Sequence, residues 1–112
     1  MSERAASLAP QDVMQVNLQY QGKWRIKTVE GTNIVIGRPN AGTRVQIDLS
    51  PDTTVSRVHA RVWQEDGQWW AADSHSKYGT LLNGQPLNGK APLTSSDILQ
   101  VGETTLRFDL PA

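Results

Sequence analysis

The chain of 112 residues has no cysteine, which excludes disulfides, thiolate metal centres and a cysteine nucleophile. It also has no excess charge of either sign, with eleven Lys and Arg against eleven Asp and Glu. The long-range field that draws proteins onto nucleic acid or an anionic membrane is therefore missing, and any anion site has to be local. No apolar run approaches the ~18 residues of a membrane span, and the opening MSERAASLAPQD lacks the apolar core of a secretory signal. These absences set the expectation of a cytoplasmic monomer that needs no cofactor or metal and contacts neither nucleic acid nor membrane. At this length about one domain is accommodated, burying roughly two-thirds of its unfolded surface. Residues 1–11 read as a flexible leader, rich in Ser, Ala, Pro and Gln, ahead of a domain over 12–112.

Helical periodicity is scarce as well, and what replaces it is alternation. VMQVNLQY places Val16, Leu18 and Tyr20 on one face, and RVQIDL turns Val45, Ile47 and Leu49 inward. KWRIKTV sets Trp24 and Ile26 on one face against Lys23, Arg25 and Lys27, which predicts another half-buried strand. NIVIG, VHARVWQ, QWWAAD, TLL, DILQV and TTLRFDL follow at short intervals, separated by turns rich in Gly, Asn and Asp. Many short strands with such turns predict an all-β sandwich or barrel. Asn83-Gly84 and Asp66-Gly67 can take positive φ at both positions, as tight two-residue hairpins require. In a chain without net positive charge, Trp24, Trp63, Trp69 and Trp70 are expected to serve core and sheet-face packing rather than base stacking. Arg61 alternates outward beside Ala60 and Val62.

Polar residues concentrate in three predicted loops: Gly37 and Arg38 in IGRPN; Ser56, Arg57 and His59 in TTVSRVHA; and Ser76, Lys77, Tyr78, Gly79 and Thr80 in SHSKYGT. Sandwich loops gather at the two ends, so these three can pool Arg38, Arg57 and Lys77 with the hydroxyls of Ser56 and Ser76. Such a pool suits a dianion. A phosphorylated side chain carries about −1.5 to −2 charges and three acceptor oxygens, which guanidinium, ammonium, hydroxyl and turn amides satisfy together. A hydrolase triad of Ser56, His59 and Asp73 is the rival reading. It lacks the strand-turn-helix elbow that normally carries such a serine. A metal site from His59, His75 and Asp73 lacks any fixed spacing.

The motifs resemble those of the forkhead-associated (FHA) domain. IGR at Ile36–Arg38, VSRVHA at Val55–Ala60, DSHSKYGTLLNG at Asp73–Gly84 and LTSSDILQVG at Leu93–Gly102 keep that family's order and spacing over roughly residues 13 to 110. The resemblance implies an eleven-stranded β sandwich that binds phosphothreonine peptides with loops at one end, without catalysis. Carried onto this sequence, it implies that Arg38 and Ser56 bind phosphate, with Arg57 and Lys77 adding to the same site. Gly37, His59, Ser76, Gly79, Thr80 and Asn83 would be loop architecture, with His59 bracing the serine-bearing turn against the Gly-Thr turn. The implied partner is a protein phosphorylated on threonine by a Ser/Thr kinase.

One position departs from the pattern. The family usually has an Asn that bonds the peptide main chain beyond the phosphothreonine, and this chain has Tyr78, which the resemblance makes the expected peptide main-chain contact. A phenol donates one hydrogen bond and does not reproduce the donor and acceptor pair of a carboxamide. That substitution motivates the alternative of a phospho-independent scaffold or self-association module. Arg44 and the Ser95-Ser96-Asp97 turn are the expected readers of flanking residues.

Overall fold

The computed structural model describes residues 13–111. The expected leader at 1–11 lies outside that range. Eleven strands succeed one another: β1 (Val13–Tyr20), β2 (Lys23–Glu30), β3 (Asn33–Gly37), β4 (Ile47–Asp48), β5 (Val58–Glu65), β6 (Gln68–Asp73), β7 (Thr80–Leu82), β8 (Gln85–Pro86), β9 (Lys90–Leu93), β10 (Ile98–Val101) and β11 (Thr104–Asp109). They form a six-stranded sheet in the order β2-β1-β11-β10-β7-β8 and a five-stranded sheet in the order β4-β3-β5-β6-β9. The fold is thus a sandwich, and among the described residues no helix is long and apolar enough to cross a membrane.

Alternation explains most of the core. Met14, Val16 and Leu18 of β1, Ile34 and Ile36 of β3, Ala60 and Val62 of β5, and Leu106 and Phe108 of β11 all turn inward and are buried. Ile47 and Leu49 join them as expected, although β4 itself is only two residues long. Both anticipated hairpins form. Asp66 and Gly67 have φ of 53° and 77°, and Asn83 and Gly84 have 50° and 83°, so each pair meets the positive-φ requirement. Gln21-Gly22 makes a third such turn between β1 and β2.

The prediction for β2 is overturned. Seven of its eight residues are exposed and only Val29 is buried, because β2 is the edge strand of the larger sheet and extends past its partner sheet. The facing is also inverted. Arg25 lies opposite Leu18 and Lys27 opposite Val16, both inward positions, whereas Trp24 lies opposite Gln19 and Ile26 opposite Asn17 on the outer face. Of the four tryptophans only Trp69 is buried. Trp63 and Trp70 pair across β5 and β6 on the outer face of the smaller sheet. Arg61 and Lys90 place their cations over those two rings, at 5.9 and 4.4 Å from the centroids.

One irregularity positions everything that follows. Ile36 pairs with Ala60, but the next residue, Gly37, pairs with Val58, so β5 carries one extra residue at His59. The bulge breaks the alternation and lets the neighbours His59 and Ala60 both face inward. Opposite it, a Cβ on Gly37 would lie 2.1 Å from the Arg57 carbonyl oxygen, which is also the acceptor for the Arg38 amide at 3.1 Å. Gly37 therefore admits a close backbone approach that no other residue allows. Gly37→Ala is expected to destabilise the fold by at least about 1 to 3 kcal/mol, the range for overpacking. A thermal melt of the variant that coincides with the parent's would refute that role.

Candidate functional site

Three loops meet at one end of the sandwich. Residues 38–46 contribute Arg38 and Asn40, residues 49–57 contribute Ser56 and Arg57, and residues 74–79 contribute His75 and Lys77; with Val58 these side chains line one open pocket. Its lining holds three cations and no carboxylate. Arg38 is half-buried, and its Nε donates to the Val55 carbonyl at 2.6 Å. That bond fixes the guanidinium plane. Among the described residues, no hydrogen bond engages its two terminal nitrogens, so the fork is open to a ligand. The Ser56 hydroxyl oxygen accepts the Lys77 amide at 3.0 Å, which ties the second loop to the third and leaves the hydroxyl proton free to donate. Asn40 organises the first loop. Its Oδ1 accepts the Gly42 and Thr43 amides at 2.9 and 2.8 Å, while its Nδ2 donates to the Arg38 and Arg57 carbonyls at 3.0 and 3.3 Å.

Behind the pocket sits a buried brace. His59 is fully buried; its Nδ1 accepts the Ser56 amide at 3.0 Å, which leaves the proton on Nε2 to be donated to the Gly79 carbonyl at 2.9 Å. Asp73 supports the same turn. It accepts the Ser76 hydroxyl and amide and the Thr80 hydroxyl, the last at 2.7 Å, and the Ser76 oxygen in turn accepts the Gly79 amide at 2.9 Å. Gly79 itself takes φ of 81°. With both imidazole nitrogens spent on backbone groups, His59 makes no bond to the Ser56 hydroxyl, and the hydrolase triad is not assembled. Among the described residues, no three His, Cys, Asp or Glu side chains come together to hold a metal ion.

Residues 34–102 match the family of the FHA domain. The chain belongs to that family. Its sequence is 36% identical to the oxoglutarate dehydrogenase inhibitor of Corynebacterium diphtheriae over 70% of this chain and 56% of that protein. It is 33% identical to the glycogen accumulation regulator GarA of Mycolicibacterium smegmatis over 62% of this chain and 52% of that one. The FHA chain thus matches about half the length of these curated relatives. Among solved structures, an FHA domain from an analysis of phosphothreonine-dependent FHA domain interactions superposes with a TM-score of 0.69 at 28% identity, covering 88% of this chain and 98% of its own. The FhaA FHA domain complexed with the intracellular domain of Rv3910 also gives 0.69, at 27% identity, over 85% of this chain and 98% of that one.

Against the FHA motifs, the structure gathers Arg38, Ser56, Arg57 and Lys77 round one pocket and assigns other places to the rest. Ser76 points its hydroxyl at Asp73 rather than into the pool of phosphate donors. Tyr78 stands outside the pocket, 65% exposed, beside Thr54, Gly102 and Glu103, with the Lys77 ammonium 5.4 Å from its ring centroid. Asn83 braces a different turn. It donates to Asp97 at 3.0 Å and accepts the Ile98 amide at 2.9 Å, joining the β7–β8 hairpin to β10. Asp97 is occupied there and Ser95 accepts the Leu110 amide at 3.0 Å; neither they nor Ser96 line the pocket, whereas Arg44 lies beside it with Val58 and Arg61.

Sequence reasoning missed Asn40 and Asp52, and it weighed His75 only as a metal ligand, not as part of this pocket. Asp52 is fully buried and accepts the Thr54 amide and hydroxyl at 3.0 and 2.6 Å, the Glu103 amide at 2.8 Å and the Thr104 hydroxyl at 2.7 Å. It thereby pins the Ser56 loop to the β10–β11 turn. The signal was present, since Asp followed two residues later by Thr is the pattern of an Asx turn. Burial pushes the Asp52 and Asp73 carboxyls up, but the hydrogen bonds outweigh it, and both settle below the usual aspartate range. A folded-state value below the unfolded one means stability that is present above about pH 4 and lost as pH falls through the folded value. On this account the melting temperature is expected to drop as pH falls below about 4. Asp52→Asn should melt lower at neutral pH and lose part of the acid dependence. An unchanged acid slope in that variant would remove Asp52 from the account.

Proposed function

We propose that this FHA domain recognises a threonine-phosphorylated segment of a partner protein and so couples a Ser/Thr kinase to a binding event. The observation that carries the reading is the convergence of an anchored, open guanidinium at Arg38 with a donor hydroxyl at Ser56 in a pocket that holds Arg57 and Lys77 and no carboxylate. A phosphate dianion satisfies all four groups at once: Arg38 offers its fork, Ser56 its proton, and Arg57 and Lys77 add charge at the rim. The relatives' names, an inhibitor and a regulator, and the phosphothreonine-dependent interactions named for a structural neighbour, support a binding role over a catalytic one.

A single extended peptide laid across loops buries little area, so affinities around micromolar, near −8 kcal/mol, are expected. Calorimetric titration with paired peptides, phosphorylated and not, tests the reading. Arg38→Ala should weaken the phosphorylated peptide by about 1.5 to 3 kcal/mol, the value of a charged hydrogen bond, or roughly ten- to a hundredfold. Full affinity in a folded Arg38→Ala protein would rule out the phosphate role.

The second reading, a phospho-independent scaffold, is favoured by Tyr78, whose phenol makes no hydrogen bond among the described residues and stands clear of the pocket. Equal affinity for the two peptides would establish it instead. Under the leading reading, Tyr78→Asn restores the carboxamide that FHA relatives use on the peptide main chain. It should tighten phosphopeptide binding by about 0.5 to 1.5 kcal/mol, the net value of one hydrogen bond. No gain in the same titration would mean that the peptide backbone takes another path.

A further inference from the structure

The edge of the larger sheet is unlike the rest of the surface. β2 presents a long unpaired edge, and on its outer face Trp24 and Ile26 stand side by side at 60% and 68% exposure. On its other face Lys23, Arg25 and Lys27 follow one another, opposite Tyr20, Leu18 and Val16, where the second sheet does not cover them. None of the three is in an ion pair among the described residues. Leu18, Tyr20, Leu49 and Pro51 line a cavity of about 360 Å³, which reaches the strand at Lys23, Trp24 and Arg25. That volume is at the lower end of the range for binding pockets.

Cations on an edge strand have an ordinary purpose, which is to keep a second sheet from adding to it. That purpose accounts for Lys23, Arg25 and Lys27 but not for Trp24 and Ile26, since exposed large apolar side chains invite the pairing that charges deter. Both facts are satisfied by an edge selective for charge. A second copy of this chain is disfavoured as occupant: antiparallel pairing centred on Arg25 sets Arg25 against Arg25 and Lys23 against Lys27, and like charges directly opposite destabilise a ladder. An acidic strand meets the opposite situation.

We propose that β2 is a docking edge for an extended acidic segment of a partner protein. The segment adds as a further strand to the six-stranded sheet, with carboxylates towards Lys23, Arg25 and Lys27 and apolar side chains beside Trp24 and Ile26. Main-chain hydrogen bonds supply affinity, and the alternation of the two side-chain rows supplies register. The site is separate from the phosphate pocket in residues and in chemistry, because it reads several carboxylates spaced two residues apart rather than one dianion.

The test is a titration of the full chain, followed by amide NMR, with a synthetic peptide of alternating Glu and Val and with its Lys-Val counterpart. The Glu-Val peptide is expected to shift and protect amides of β2 and to move the Trp24 indole, and the Lys-Val peptide to do neither. An excess of free phosphothreonine should not displace it. The double variant Arg25→Glu with Lys27→Glu, both positions being exposed, should weaken the Glu-Val peptide at least tenfold and transfer preference to the Lys-Val peptide. Equal binding of the two peptides, unchanged affinity in the double variant, or β2 amides that all exchange slowly in the free chain would each overturn the proposal.

Discussion

His59 holds the Ser56 amide on one ring nitrogen and the Gly79 carbonyl on the other, and it reaches both because β5 carries one residue more than its partner at that point. Without the bulge, alternation would put residue 59 on the same face as the exposed Arg61, and two of the three loops would lose their common support. Gly37 is the other half of the arrangement. Its missing side chain lets the Arg57 carbonyl approach β3, where that oxygen accepts both the Arg38 amide and the Asn40 carboxamide. The positions of Arg38, Ser56 and Arg57 are thus consequences of one local backbone irregularity. The convergence of the loops is enforced from the buried side.

Electroneutrality of the whole chain does not prevent a strong local field, because around the pocket the carboxylates lie behind the loops while the cations line it. Asp52 and Asp73 accept amides and hydroxyls behind the loops, and Asp97 does the same in the β9–β10 turn, so these carboxylates are used as acceptors within the framework. The cations stay at the rim. Arg57 and Lys77 are exposed, and Arg38 has only its Nε committed. The same division recurs at β2, where three cations lie on an uncovered stretch of sheet. Net charge, which is zero, therefore describes neither surface.

How much of this was legible in the sequence depended on the range of the interaction involved. Alternation located Val16 and Leu18 of β1, Ile47 and Leu49 at β4, and Ala60 and Val62 of β5, because a strand covered on one face has a period of two and nothing else to obey. It failed for β2, since the same period appears in a strand whose faces are both open, and only the relative reach of the two sheets decides which side is covered. The motifs brought Arg38, Ser56, Arg57 and Lys77 to one pocket. They could not bring Asn40 or Asp52, which act through bonds to segments up to 52 residues away in the chain, nor place His75 at the pocket. The bulge was equally hidden: VHARV reads as a regular strand, and the extra residue shows only when the register against β3 is known.

The pocket combines groups held in advance with groups that are not, and in the proposed function this division bears on what it can discriminate. Ser56 is fixed through its amide by His59 and through its oxygen by Lys77, and Arg38 through its Nε by Val55, so a phosphate finds both without ordering them. Arg57 and Lys77 are exposed side chains that lose up to about 2 kcal/mol of rotamer freedom each when immobilised, which offsets much of their attraction. Tyr78 stands outside the pocket and offers the main chain of a ligand no carboxamide. Recognition then rests on the phosphate far more than on the peptide that bears it. A site of that kind separates modified from unmodified partners well and one modified partner from another poorly, so under the proposed function choice of partner would come from contacts outside the pocket, as the proposed β2 edge would supply.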